Sequence, residues 1–101
     1  MDERPKVLRI FRARVKVGRE EEWERLLEEQ LLAERLGGRA GLERWYRGRP
    51  MTHDSREHVV VTIWRDRDAM RAFAGASAGP VLFRNQAELA DEISVEQYEL
   101  A

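Results

Sequence analysis

His58-Val59-Val60-Val61-Thr62-Ile63-Trp64-Arg65-Asp66 is the stretch on which the fold turns. Its β-branched residues favour extended backbone, and the run from about Glu57 to Trp64 is apolar on both parities. Val59, Val61 and Ile63 point one way, and Val60 and Trp64 point the other, together with His58 and Thr62. A strand that is apolar on both sides is covered on both sides. Asp66 then suits the N-cap of a helix over Arg67 to Ala76, with Ala69, Met70, Phe73 and Ala74 inward.

Upstream, Val7 to Val17 alternates. Val7, Phe11, Ala13, Val15 and Val17 make one dry face, interrupted by Arg9, while Leu8, Ile10, Arg12, Arg14 and Lys16 make a mixed one. Gly18 ends this strand. Glu20, Glu21 and Glu22 open a helix, since negative charge suits its N-terminal dipole. Trp23, Leu26, Leu27, Gln30 and Leu31 form the buried stripe of that helix, and Gly37-Gly38 stops it. Gly41 precedes a second strand, Leu42 to Arg47, and the polar stretch Gly48 to Arg56 reads as a loop.

Downstream, Pro80 fits the first turn of another helix reaching about Asp91, with Val81, Leu82, Phe83, Gln86, Ala87, Leu89 and Ala90 on its apolar side. Ile93 to Leu100 is the last strand. Its apolar parity changes between Val95 and Tyr98, which predicts a bulge near Glu96-Gln97. The order β-α-β-β-α-(α)-β is ferredoxin-like α+β: an antiparallel sheet with helices on one side. On this reading Val60 and Trp64 lie on the side without helices. A second copy of the sheet would cover them and make a dimeric α/β barrel.

The chain of 101 residues is expected to be a single domain, with its core in 7–100. Charged residues make up 37% of it, yet the net charge is only −1, so nothing favours a polyanion such as nucleic acid. It has no cysteine, which excludes disulfides, thiolate metal sites and cysteine nucleophiles. The polar start Met1-Asp2-Glu3-Arg4-Pro5 lacks the apolar centre of a signal peptide. No apolar run approaches the roughly 20 residues that span a bilayer. The expectation is a cytoplasmic protein that engages no membrane. Only Lys6 and Lys16 are lysines, so its basic residues are almost all arginine.

These features resemble the antibiotic biosynthesis monooxygenase-like family of the dimeric α+β barrel superfamily. The likeness rests on Val17-Gly18 followed by an acidic helix bearing Trp23, on Gly41-Leu42 opening the second strand, and on Ile63-Trp64 followed by Asp66, Ala69 and Phe73. It covers 7–100. The resemblance implies a homodimer that oxygenates small aromatic or quinol substrates without metal, flavin or other cofactor. Some members degrade haem, and the positions that the resemblance assigns to that chemistry hold Phe11, Phe73 and the Phe83-Arg84 pair here. In the polyketide-oxidising members a tryptophan equivalent to Trp64 sits among polar groups, and two of those positions are Val60 and Met70 here. Many members have no known activity, so a non-catalytic ligand-binding or interaction module stays open. So does an isomerase or lyase acting on a small lactone or acid.

Each candidate residue has an ordinary reading beside its functional one. Trp64 would wall an aromatic ligand or fill the core. His58, on the parity of Trp64, is the best general base, or else a strand-end histidine. Arg12 and Arg14 would hold an anion if their face lines a cavity, or pair with Glu96 or a neighbouring acid. Arg84, with Asn85, would add polarity from the later helix. Tyr46 and Tyr98 would donate hydrogen bonds to the same ligand, or act as plain strand aromatics. His53 beside Asp54 offers too few ligands for a metal. Glu21, Glu24 and Glu28 read as a solvated stripe. Gly37-Gly38-Arg39-Ala40-Gly41 follows a helix and precedes a strand, the wrong order for a phosphate loop.

Overall fold

A computed structural model describes residues 4–29, 38–52, 54–80 and 86–101. Strand β1 is Val7–Val15, helix α1 is Glu20–Leu26, and β2 and β3 are Leu42–Gly48 and Glu57–Trp64. Helix α2 is Arg67–Ala74, a single 3₁₀ turn spans Gln86–Leu89, and β4 is Ala90–Glu99. The strands form one four-stranded sheet in the order β2-β3-β1-β4, with every neighbouring pair antiparallel. This is the expected ferredoxin-like α+β arrangement. The expected helical positions Gln30 and Leu31, the stop at Gly37, and His53, Val81, Leu82, Phe83, Arg84 and Asn85 lie outside the described residues.

The core lies between the sheet and its helices. Val7, Phe11, Ala13 and Val15 of β1 meet Val60 and Trp64 of β3, and Trp23, Leu27, Ala69, Met70 and Leu89 close over them. The sidedness expected for β3 is therefore reversed. Val60 and Trp64, with His58 and Thr62, face the helices, whereas Val59, Val61 and Ile63 share the opposite face with Leu8 and Ile10. Among the described residues no helix covers that second face. Both parities of β3 are apolar, so alternation alone could not say which one the helices take. The larger Trp64 goes under α2, where it buries most area.

Further differences have local causes. β1 stops at Val15, and Val17 is 78% exposed in the turn at Gly18. The helix expected to reach Asp91 has only its 3₁₀ turn among the described residues, and β4 begins at Ala90. The bulge expected near Glu96-Gln97 is absent. Pairing runs unbroken through Ile10–Glu96 and Arg9–Gln97, and the register shifts instead at Arg14/Val15. Gln97 keeps the inward parity of Ile93 and Val95 because it answers Arg9 across the strands. Tyr98 sits beside Leu8 on the other face, so the change of apolar parity reflects a polar pair inside the fold.

Asp66 caps α2, accepting a hydrogen bond from the Ala69 backbone N–H at 2.8 Å. Its carboxyl is held below the usual range, first by that bond and further by Arg65 and Arg4. Gly41 secures the other side of this junction. Its carbonyl accepts the Arg65 N–H at 2.7 Å and its φ is +83°. A Cβ there would stand 2.4 Å from the Ala69 Cβ. Gly41→Ala is therefore expected to lower stability by about 2 kcal/mol or more, from overpacking and a left-handed backbone together. Urea unfolding measures this, and a change below about 0.5 kcal/mol would contradict the packing described.

Candidate functional site

Two polar positions lie under the helices, at opposite ends of β3. The first is built on His58, at the start of the strand. His58 is 5% exposed. Its Nδ1 stands 3.4 Å from Oε1 of Glu24, one helical turn into α1. Glu24 is also approached by Arg49 Nε at 3.4 Å and, through its other oxygen, by Arg47 Nη1 at 3.4 Å. Arg47 reaches Glu28 as well, at 3.4 Å. The ring of Trp23 lies 6.4 Å from that of His58, tilted by 58°.

These separations are longer than good charge-assisted hydrogen bonds. His58 Nδ1, both Glu24 oxygens, Arg47 Nη1 and the indole N–H of Trp23 are all buried without a hydrogen-bond partner. Unmet polar atoms in such number are rare inside folded proteins and concentrate at functional positions. An open groove of about 620 Å³ runs past His58 and Glu24, bounded also by Glu20, Glu28, Arg49 and Pro50. Burial holds the His58 imidazole below its ordinary pKa, with Glu24 pulling the other way. A neutral imidazole beside a carboxylate can accept a proton. Glu24, read in the sequence as part of a solvated stripe, stands beside the buried His58 here. Its position opposite the start of β3 gave no signal along the chain.

The second position lies at the other end of β3. Trp64 is 0% exposed, donates its indole N–H to Thr62 Oγ1 at 2.8 Å and stacks on Phe73 at 5.1 Å. Arg9, 3% exposed, sits with its guanidinium carbon 6.0 Å from the Phe73 ring centre. It donates to the carbonyls of Ala78 at 3.1 Å and Gly79 at 2.6 Å, and to the side chain of Gln97. Arg39 approaches the same ring at 5.4 Å. The sequence marked Arg9 as the charged interruption of the dry face of β1 without making it a candidate site residue.

The remaining expected site residues are not brought together with these. His58 and Trp64 share a face but lie six residues apart, about 20 Å along an extended strand. Arg12, Arg14 and Tyr46 stand across the sheet from both. Arg12 pairs with Glu96 and Glu57, and Arg14 with Glu92 at 2.9 Å. Tyr46 is 51% exposed, with Arg44 beside its hydroxyl. The single cavity expected to hold His58, Trp64, Arg12, Arg14, Tyr46 and Tyr98 is thus divided by the sheet itself. Arg84 lies outside the described residues. Among the described residues no three metal-ligating side chains converge, and no helix is long and apolar enough to cross a membrane.

No family model matches the sequence, and no curated protein matches it. Solved structures do match in shape. Protein PA3566 of Pseudomonas aeruginosa is 19% identical with a TM-score of 0.75, covering 100% of this chain and 99% of that one. SnoaB, a cofactor-independent oxygenase from Streptomyces nogalater, is 18% identical with a TM-score of 0.71, covering 96% and 94%. The haem-degrading protein Rv3592 of Mycobacterium tuberculosis is 22% identical with a TM-score of 0.68, covering 96% and 92%. Likeness at these identities is likeness of fold.

The lowered His58 pKa has a definite consequence for stability. Its contribution is intact above the unfolded histidine value of about 6.5 and is lost as pH falls below it toward the folded pKa. Wild type is expected to lose more stability between pH 8 and pH 5.5 than His58→Gln does, measured by urea midpoints. Equal losses in the two proteins would show that His58 is not held neutral by the fold.

Proposed function

Because the chain has the fold of the antibiotic biosynthesis monooxygenase-like, dimeric α+β barrel superfamily, we propose that it is an oxygenase-type enzyme for a small phenol or quinol that uses no cofactor. The observation that carries this is the buried His58–Glu24 pair opening on a groove of about 620 Å³. That volume suits a small aromatic ligand. Glu24 faces Nδ1, which leaves Nε2 to take the phenolic proton. Arg49, on the groove wall, stabilises the phenolate that forms, the part the sequence reading gave to Arg12, Arg14 or Arg84.

The electron-rich carbon para to the phenolate then attacks dioxygen and forms a C–O bond. Loss of its C–H proton and of water from the peroxide leaves a carbonyl. The balance is phenol plus O₂ to quinone plus water. Trp64 is too distant to touch this substrate and serves the aromatic position at the far end of β3.

Oxygen uptake with a panel of phenols, naphthols and quinols tests the assignment. His58→Gln should lower kcat/KM by about 10²- to 10⁴-fold, the usual range for a general base. Glu24→Gln should lower it less, because it removes only the orientation of the imidazole. An unchanged rate in His58→Gln would remove the assignment.

One observation favours a second reading, a non-catalytic ligand-binding module. Val60 and Met70, at positions that are polar in the oxidising members the chain resembles, are buried in the apolar core. Ligand binding without oxygen uptake would decide for that reading.

The same proposal makes the working unit a cytoplasmic homodimer. Leu8, Ile10, Val59, Val61 and Ile63 form an apolar face flanked by Tyr46 and Tyr98, and a second copy laid on that face would cover it. Sedimentation equilibrium at micromolar concentration is expected to give twice the 11.8 kDa protomer mass. A stable protomer mass would contradict it.

A further inference from the structure

We propose that the His58 groove selects phenols that carry a cationic arm, an ammonium group on a short alkyl chain, with Glu20 as the carboxylate that receives it. This rests on the groove being the substrate position and adds the charge of the substrate. The groove walls hold Glu20, Glu21, Glu24 and Glu28 against Arg25 and Arg49, a net charge of −2 with His58 neutral. A cleft lined mainly by one sign of charge concentrates ligands of the other. The acids are not equivalent. Glu24 is met by Arg47 and Arg49, and Glu28 by Arg47. Glu21 is exposed, with Arg25 four residues on along the helix. Glu20 is half-buried and has no basic side chain within ion-pair distance among the described residues.

Acids at the start of a helix suit its dipole. That accounts for three glutamates in a row, but not for leaving the half-buried one without a cation beside a histidine. An independent observation marks the same wall as a place for a ligand. His58 is 5% exposed, lines the groove, and has an Nδ1 without a hydrogen-bond partner. Burial lowers the imidazole pKa, and Glu24 and then Glu20 oppose it, so Glu20 lies within electrostatic reach of the ring. Glu20 and Glu24 are four residues apart, which puts them on one side of α1, about 6 Å apart along its axis. A phenol whose hydroxyl meets His58 therefore has a second anchor one helical turn along the groove. The volume of about 620 Å³ leaves room for that arm beyond a single ring. An ammonium there gives Glu20 a charge partner, and its N–H donors find carboxylate acceptors. The arm sits meta to the hydroxyl, which keeps the para carbon free to react.

The test is titration calorimetry on the full chain near neutral pH, where an alkylamine is protonated. Three phenols differ only at the end of the arm: 3-(2-aminoethyl)phenol, 3-(2-hydroxyethyl)phenol and 3-hydroxyphenylacetate. Wild type should bind the ammonium compound at least about tenfold more tightly than the alcohol, the difference expected of a charged hydrogen bond, and the carboxylate most weakly. Glu20→Gln keeps the shape of the wall but removes the charge, and should bind the ammonium compound and the alcohol equally. Glu29→Gln removes the same charge from outside the groove and should keep the full preference. Equal affinities in wild type, a preference that survives Glu20→Gln, its loss in Glu29→Gln, or no binding of any compound would overturn the proposal. Should Glu20→Gln fail to fold, amide NMR of the wild type decides. Shifts at Glu20 and Glu21 that are larger with the ammonium compound than with the alcohol support the site, and shifts centred elsewhere overturn it. Binding is read without turnover, so its failure is distinct from failure of the His58 assignment, which oxygen uptake with uncharged phenols still tests.

Discussion

The alternation of side chains along β3 is the constraint on which the rest of the molecule depends. Period two sends His58, Val60, Thr62 and Trp64 to one face, and Val59, Val61 and Ile63 to the other. A slip of one residue would exchange the two sets. Trp64 fixes the choice, because its indole is buried against Phe73 and its N–H is met two residues back on the same strand by Thr62. With Trp64 under α2, His58 must lie under α1, and that alone brings a histidine to Glu24. The putting of a base next to a carboxylate is thus a by-product of register.

The second organising interaction is polar. Arg9 on β1 and Gln97 on β4 are direct cross-strand partners on the buried face. Each breaks an apolar pattern on its own strand, and each makes sense only beside the other. Together they tie both central-to-edge strand pairing and the segment after α2 to the same guanidinium. Such a network specifies one arrangement when fully satisfied. Among the described residues its hydrogen bonds are supplied by neutral groups.

Much of this architecture is legible along the chain. The limits of β3, the cap at Asp66, the inward set Ala69, Met70, Phe73 and Ala74, and the element order follow from propensity and periodicity, because those forces act locally. Which face of β3 the helices cover does not follow, since both faces are apolar. The change of parity at Gln97 suggested a bulge because its partner Arg9 lies 88 positions away. The site was legible in part. His58 stands out by residue type and strand parity, but Glu24, Arg47 and Arg49 come to it from α1, β2 and the loop after β2, and nothing local distinguishes them from surface charges. Arg12 and Arg14 looked like anion binders for the same reason, and they lie in a ladder of ion pairs on the opposite side of the sheet.

The sidedness of β3 is tested most directly by two neighbouring substitutions, Val60→Asp and Val61→Asp, compared by guanidinium unfolding. Val60→Asp places an unpaired charge beneath the helices and should lower stability by roughly 3 kcal/mol or more, or prevent folding. Val61→Asp lies on the face without helices and should leave a folded protein, abolishing only the self-association proposed for that face. The reverse ranking, with Val61→Asp unfolding the protein and Val60→Asp tolerated, would contradict the account.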